Sequence, residues 1–287
     1  MTGWSSSERL IGLIGNPVSR SPSPRMHNAA FRHMGLDFHY MSFEIASEKL
    51  GSVMEGLRWI AHGLNVTIPF KTEVLRFVDE LSEEAEVTGA VNTVVVQKGR
   101  MKGYNTDVVG VLQPFRRRGI SLLDTRALVI GAGGASRACI VALNRLGCSE
   151  FMILNRSRDR FERLKADFSP RLGVNLSWYP LDAECFSSCA RRADVVVNAT
   201  PLGTKDAPLE LPLKGGIFRS GQVVFDVVYM PTRTKLLELS ERCGSITIPG
   251  YEMLLEQGMA SFKLWTGLPA PREVMERALM EALVNEG

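Results

Sequence analysis

Apolar residues in this chain fall into two patterns, and the two alternate. Short apolar runs ended by glycine or a polar cluster read as buried strands: Arg9 to Gly15, Phe38 to Ile45, Val94 to Gln97, Phe151 to Leu154, Val195 to Asn198, Gln222 to Val228 and Ile246 to Ile248. Met101 to Tyr104 returns beside Val94 to Gln97, with Gly99 in the turn. Elsewhere apolar positions recur at helical spacing: Met26, Ala29, Ala30 and Phe31; Glu48 to Ile60; Val108 to Phe115; Thr234 to Cys243; Met253 to Trp265; and Pro271 to about Val284. Strands that alternate with helices predict an α/β fold on mostly parallel sheets. One strand alternates residue by residue. Leu64, Val66 and Ile68 are apolar, and Asn65 and Thr67 between them are polar. One face of this strand is therefore apolar, while the other presents an amide and a hydroxyl.

The stretch from Arg126 to Arg160 carries the sharpest local signal. An apolar strand, Arg126 to Ile130, runs into Gly131-Ala132-Gly133-Gly134-Ala135-Ser136, then an apolar-periodic run to Leu146, then a second strand ending at Leu154. Gly131 permits a tight turn, and Gly133 lets backbone approach a bulky ligand. Ser136 is expected to open a helix whose free N–H groups and positive dipole end favour a pyrophosphate. The second strand ends in Asn155-Arg156-Ser157, with Arg158 and Arg160 close behind. A site for NAD usually carries a carboxylate at that tip to bind the ribose 2′-hydroxyl. Arginines there suit a 2′-phosphate, although a solvated cluster starting a helix has the same composition.

Polar residues earlier in the chain have two readings each. Ser23 before Pro24 suits a helix N-cap, whereas Ser21, two residues before it, has no such duty; in an extended loop the two hydroxyls would share a side. Pro69 is expected to start a helix with Lys71 in its first turn, an electrostatically unfavourable place for a cation. Asp107 can cap the helix that follows it, and the domain boundary is placed there. Trp265 reads as core. Asp226, near the end of a strand, reads as a capping or turn carboxylate.

Composition narrows the partners. The chain has 287 residues, 45% hydrophobic and 23% charged, enough for two domains. A formal charge of +3, from 34 basic and 31 acidic residues, is too balanced for a nucleic-acid binder. Five cysteines form no metal or disulfide pattern, and together with the lack of a signal peptide they predict a reducing cytoplasm. No apolar run is long enough for a transmembrane helix.

Taken in order, eight motifs resemble the shikimate dehydrogenase family over nearly the whole chain. They are Ser21-Pro22-Ser23-Pro24, Asn65 through Lys71, Gly89 through Thr93, Asn105-Thr106-Asp107, Gly131 through Ala135, Asn155-Arg156-Ser157, Asn198 through Pro201, and Gly250 through Gln257. The resemblance implies a substrate domain at residues 1–107, completed by helices returning at 250–287, and a Rossmann NADP-binding domain at 108–249. It implies reversible NADPH-dependent reduction of 3-dehydroshikimate to shikimate by a monomer or homodimer. Lys71 matches the catalytic lysine, with Asp107 as its partner. Ser21, Ser23, Asn65, Thr67, Asn92, Tyr229 and Gln257 match substrate-holding positions. Gly131, Ala132, Gly133, Gly134, Ala135, Asn155, Arg156, Ser157, Arg160, Thr200, Val227 and Gly250 match cofactor-holding ones. Ser23 follows the shikimate-type pattern, since paralogues that use quinate often carry threonine there. Pro201, Pro249 and Gly258 depart from the commoner Ser, Asp and Ala.

Overall fold

A computed structural model describes residues 8–204, 207, 211–213 and 216–286. Contacts divide it into two compact units, one of residues up to Thr106 together with Gln257–Glu286, the other Asp107–Glu256. Among the described residues no helix is long and apolar enough to cross a membrane.

In chain order the first unit contains β1 (Arg9–Gly15), α1 (Ser23–His33), β2 (Phe38–Glu44), α2 (Leu50–Ile60), β3 (Ala61–Val66), β4 (Glu80–Leu81), α3 (Glu83–Thr88), β5 (Thr93–Gln97) and β6 (Arg100–Tyr104). The second holds α4 (Asp107–Arg117), β7 (Arg126–Ile130), α5 (Gly134–Arg145), β8 (Glu150–Leu154), α6 (Arg158–Leu172), β9 (Asn175–Tyr179), α7 (Ala183–Arg192), β10 (Val195–Asn198), β11 (Val223–Asp226), α8 (Lys235–Arg242) and β12 (Ile246–Ile248). The chain ends in α9 (Gly250–Thr266) and α10 (Arg272–Glu286).

The first sheet has the order β2-β1-β3-β5-β6-β4. β2, β1 and β3 run parallel, β5 is antiparallel to both β3 and β6, and β4 runs parallel to β6. The alternation in β3 sorts its residues as expected up to Val66: Leu64 and Val66 join Ile14, Met54, Phe70, Val94 and Val96 in one apolar cluster. The strand ends there, and Ile68 is exposed. On the opposite face, α1 and the later part of α9 cover the sheet. Phe31 stacks on Phe262 with ring centroids 5.3 Å apart, and the buried Trp265 donates its indole N–H to the Val94 carbonyl at 3.0 Å. Gly63 makes room, because a Cβ there would lie 2.3 Å from that indole nitrogen.

The second sheet is wholly parallel, in the order β12-β11-β10-β7-β8-β9. Both faces of its inner strands are covered, so these are apolar runs; Ala127 to Ile130 and Val195 to Val197 are fully buried, whereas the edge strand β9 alternates. The strand order reverses between β7 and β10, the switch point at which ligands bind in such sheets.

Candidate active site residues in each unit

Strand direction explains why the polar residues of the first unit gather at one end of its sheet. β1 and β3 are parallel, so the loops after Gly15 and Val66 leave from the same edge. β5 runs the other way and starts there, with Thr93 opposite Asn65. β6 ends there, with Tyr104 opposite Thr93, and Asn105 and Thr106 follow.

The result is a buried network of amides and hydroxyls. Asn65 donates through Nδ2 to the Asn92 carbonyl and to Thr93 Oγ1, both at 3.0 Å, and accepts at Oδ1 from the Tyr40 hydroxyl at 2.8 Å. Asn92 Oδ1 accepts from the Thr106 backbone N–H at 2.7 Å, and its Nδ2 donates to Thr106 Oγ1 at 2.9 Å and to Gln257 Oε1 at 3.4 Å. Ser261, one helical turn beyond Gln257, lies 2.8 Å from Thr93 Oγ1. Asn65, Asn92 and Gln257 are thus brought together, held by Thr93, Thr106 and Ser261. All six are buried, where an unpaired polar group costs about 1–3 kcal/mol, so each member depends on its partners.

Three local expectations are corrected. Ser23 is not the N-cap of α1. The cap position is Pro22, without a side-chain cap bond, and Ser23 is the first helical residue. Ser21 takes the local role instead, its Oγ accepting from the Ser23 N–H at 3.3 Å. Ser23 itself is buried. Nor does Pro69 start an α-helix. A turn follows it, and the next element is a 3₁₀ segment, Glu73–Phe77. Lys71 sits in that turn, so the helix-dipole argument does not apply to it. Its backbone is fixed beside Asn92, because the Lys71 carbonyl accepts from the Val91 N–H at 2.7 Å. Thr67 is half-buried, and its methyl lies 2.3 Å from where a Gly15 Cβ would be, which keeps position 15 small. Asp107 is the first residue of α4 and is buried, inside the helix rather than before it.

In the second unit the glycine turn behaves as its spacing predicts, with one shift. α5 begins at Gly134 with Gly133 as N-cap, so Ser136 lies in its first turn rather than opening it. Gly131 has φ +107°, and a Cβ there would collide with Thr200 Cγ2 at 2.8 Å and Ser136 Oγ at 3.0 Å. In front of Gly133 a Cβ would meet nothing within 4 Å. The backbone thus leaves open ground at the N-terminus of a twelve-residue helix, with Ala132, Gly134 and Ala135 half-buried around it. The buried Ser136 hydroxyl has no protein partner. Such a turn fits a dinucleotide pyrophosphate.

The flanking loops are tied together. Asn198 Oδ1 accepts from Thr200 Oγ1 at 2.7 Å, and its Nδ2 donates to Asp226 Oδ1 at 2.9 Å. Asp226 also accepts from the Val228 N–H at 3.0 Å and from Thr234 Oγ1 at 2.7 Å. Burial pushes its carboxyl up to about 6, against the pull of those three donors. Asp226 therefore organises both loops rather than only capping one. Gly250 and Val227 meet directly, since a Cβ at 250 would lie 2.5 Å from the Val227 carbonyl oxygen. Tyr229 is half-buried just beyond. At the tip of β8, Asn155 Nδ2 donates to the Ser157 carbonyl at 2.7 Å, and Ser157 caps α6 by accepting from the Arg160 N–H. Arg156 and Arg160 are exposed, while Arg158 packs over the Trp178 ring and pairs with Glu162.

The sequence reading missed Tyr40, Thr93 and Ser261. Thr93 stood in one of the quoted motifs, and Ser261 is at i+4 from Gln257, so helical spacing could have found it.

Comparison with known proteins finds family matches in both units. The shikimate dehydrogenase substrate binding domain family matches residues 13–94, the shikimate/quinate 5-dehydrogenase family residues 116–205, and the shikimate 5′-dehydrogenase C-terminal domain family residues 250–280. The chain is 41% identical to a shikimate dehydrogenase (NADP(+)) of Methanopyrus kandleri over 96% of each chain. Shikimate 5-dehydrogenase of Thermus thermophilus, solved with NADP(H) and shikimate, superposes with a TM-score of 0.83 at 36% identity, covering 96% of this chain and all of that one. The Listeria monocytogenes enzyme, solved with shikimate and NAD, gives a TM-score of 0.86 at 33% identity over 97% of this chain and 99% of that one. With family matches in both units and relatives aligned over nearly its whole length, the chain belongs to the shikimate dehydrogenase family.

Proposed function

We propose that this chain is a shikimate dehydrogenase, reversibly reducing 3-dehydroshikimate to shikimate with NADPH on the route to chorismate and the aromatic amino acids. The observation that supports the reading is the buried array of Asn65, Asn92 and Gln257, in a chain that aligns over 96% of its length with an NADP-dependent relative. A site lined by polar groups selects a ligand rich in hydroxyls, because an analogue lacking them leaves buried partners unpaired.

NADPH, when bound, supplies the hydride. The protein supplies orientation and a proton. Lys71, as the ammonium, gives a proton to the alkoxide forming at the substrate carbonyl; in the reverse direction its amine takes the hydroxyl proton. Asp107 is the second catalytic residue. Ser21 and Ser23 hydroxyls hold the substrate carboxylate. Asn65, Thr67, Asn92, Tyr229 and Gln257 read the rest of the ring. The turn from Gly131 to Ala135 would hold the pyrophosphate, Asn155, Arg156, Ser157 and Arg160 the 2′-phosphate end, and Thr200, Val227 and Gly250 the remaining length of NADP. Residues 1–107 with 250–287 act as the substrate domain and 108–249 as the cofactor domain. Five free thiols suit a reducing cytoplasm. The enzyme works as a monomer or homodimer, which sedimentation would separate.

Mixing the protein with shikimate and NADP⁺ should produce reduced nicotinamide, followed by absorbance. Quinate should turn over with a lower kcat/KM. Tight NADP⁺ binding without turnover of either acid would instead mark a nucleotide-sensing protein and refute the assignment.

A further inference from the structure

A single peptide plane stands between Asn105 and the turn that carries Lys71. α3 ends at Thr88, and Gly89 closes it in the left-handed region with φ +59°. The next peptide, Ala90–Val91, is buried and held at both ends. Its carbonyl accepts from Asn105 Nδ2 at 2.9 Å, and its N–H donates to the Lys71 carbonyl at 2.7 Å. The C=O and N–H of a trans peptide point in opposite directions. This one plane therefore reaches from the Asn105 side chain to the Lys71 backbone.

Asn105 itself is buried where the chain leaves β6. Its Nδ2 also donates to Thr88 Oγ1 at 3.0 Å, and Thr88 Oγ1 donates to the Glu84 carbonyl at 2.6 Å. A carbonyl can only accept, so the contact with Ala90 fixes which way the Asn105 amide points. Among the described residues its Oδ1 has no partner. The position thus uses the amide for its two donors, which neither a carboxylate nor an apolar side chain supplies. Asn92 is anchored separately. Its N–H donates to the Tyr104 carbonyl at 3.0 Å, and its Oδ1 accepts from the Thr106 N–H at 2.7 Å. Loss of the Asn105 amide therefore frees the Ala90–Val91 peptide to turn, while Asn92 keeps its own anchors.

We propose that Asn105 is a positioning residue for Lys71, acting through the Ala90–Val91 peptide. The proposal rests on the assignment of Lys71 as the group that moves the proton. Three amides in line, from Asn105 through Ala90–Val91 to Lys71, polarise one another, so the outer bond strengthens the inner one. The inner bond sets where the Lys71 backbone sits. An ammonium on a flexible four-carbon stem needs a fixed root if it is to meet a forming alkoxide. Other groups grip substrate and cofactor, so the loss falls on the chemical step rather than on binding.

Kinetics on the full chain test this with Asn105→Leu, Lys71→Ala and the double variant. Leucine keeps the shape of asparagine and removes both donors together with the unpaired acceptor. Asn105→Leu should lower kcat for shikimate oxidation about tenfold, with both KM values within about twofold of wild type. Hydrogen exchange at the Val91 amide should quicken about tenfold. In the Lys71→Ala background, read in single turnovers with enzyme in excess over NADP⁺, the same change should cost less than about twofold, because the group it places is gone. An unchanged kcat in folded Asn105→Leu, when Lys71→Ala alone lowers it, overturns the proposal and spares the assignment of Lys71. A tenfold loss in both backgrounds overturns it as well. So does a fall in kcat with exchange at Val91 unmoved, which routes the effect elsewhere, as through Asp107 two residues on. If Lys71→Ala leaves kcat at wild type, the assignment of Lys71 fails and the proposal with it. Should leucine prevent folding, Asn105→Ala takes its place; if neither variant folds, Asn105 serves the fold alone and the proposal is overturned.

Discussion

The two units make their candidate sites from different materials. In the second, the glycine turn offers backbone: Gly131 at positive φ, Gly133 with open ground before it, and a helix N-terminus behind. Side chains there mostly hold loops in place, as Asn198 and Asp226 do. In the first unit the backbone carries little of the chemistry, and the site is a closed lattice of Asn65, Asn92, Thr93, Thr106, Gln257 and Ser261. The difference follows from the proposed ligands. A pyrophosphate is met by N–H groups that any residue provides, so the requirement is room. A hydroxylated ring acid needs each hydroxyl matched, so the requirement is particular side chains at fixed angles.

The contrast can be broken most severely at Lys71. Lys71→Ala should lower kcat by about 10²–10⁴-fold, the usual contribution of a positioned acid or base, while the shikimate KM moves much less. Turnover near wild type would make it an ordinary turn lysine. Next comes the exception on the cofactor side, where a side chain rather than backbone should discriminate. Arg156→Ala should raise the KM for NADP⁺ by about tenfold to a hundredfold and leave that for NAD⁺ nearly unchanged, since a hydrogen bond to a charged group contributes about 1.5–3 kcal/mol. Equal losses for both cofactors would show that Arg156 supports the fold.

Asp226 sharpens the comparison through pH. Its carboxyl in the folded protein is raised to about 6, chiefly by burial, against about 3.9 in an unfolded chain. Between these values the folded state binds the extra proton. Asp226 therefore costs no stability below about pH 4, costs progressively more as pH rises to about 6, and stays at that level above, on the order of 3 kcal/mol. Urea unfolding of Asp226→Asn against wild type should show the variant gaining relative stability across that window. A flat difference from pH 4 to 7 would mean Asp226 is not desolvated. The smallest effect is expected from Thr93→Val, which removes one hydroxyl and keeps the shape. Stability should fall by about 1 kcal/mol, and kcat/KM for shikimate should fall while the NADP⁺ KM holds. A change in the cofactor constant alone would contradict the lattice as a substrate floor.

These materials also decide what the sequence disclosed. The strand, glycine turn and helix from Arg126 to Leu146 were legible because room for a ligand is written locally as glycine. The polar face of β3 was legible as alternation, and its partners were not. Asn65 meets Ser261 from the other end of the chain and Tyr40 across β1, and no local pattern encodes a pairing over that separation. The misreadings at Ser23 and Pro69 have a shared cause. Pro24 suits either of the first two helical positions, so Ser23 could equally be cap or first residue. Pro69 can open a helix or a turn, and the pairing of Lys71 with Val91 holds the turn. Gly258, where alanine is commoner in the family, lies against Met26, whose methyl would be 2.4 Å from a Cβ there. That pairing too is invisible until α1 and α9 are side by side.

Because Val94, Phe31 and Thr93 are covered by Trp265, Phe262 and Ser261, the first sheet cannot be finished by the residues that precede it on the ribosome. The middle of the chain, Asp107–Glu256, holds all six strands of its own sheet and can close as soon as it emerges. The usual order of synthesis, N-terminal domain first, is inverted here. The oldest part of the nascent chain waits longest with its apolar face uncovered, and a release even a few turns of helix too early leaves it unsealed. A truncation before α9 should therefore be lost to aggregation through its N-terminal half, whereas trimming the amino end as far as Glu8 leaves every described strand intact.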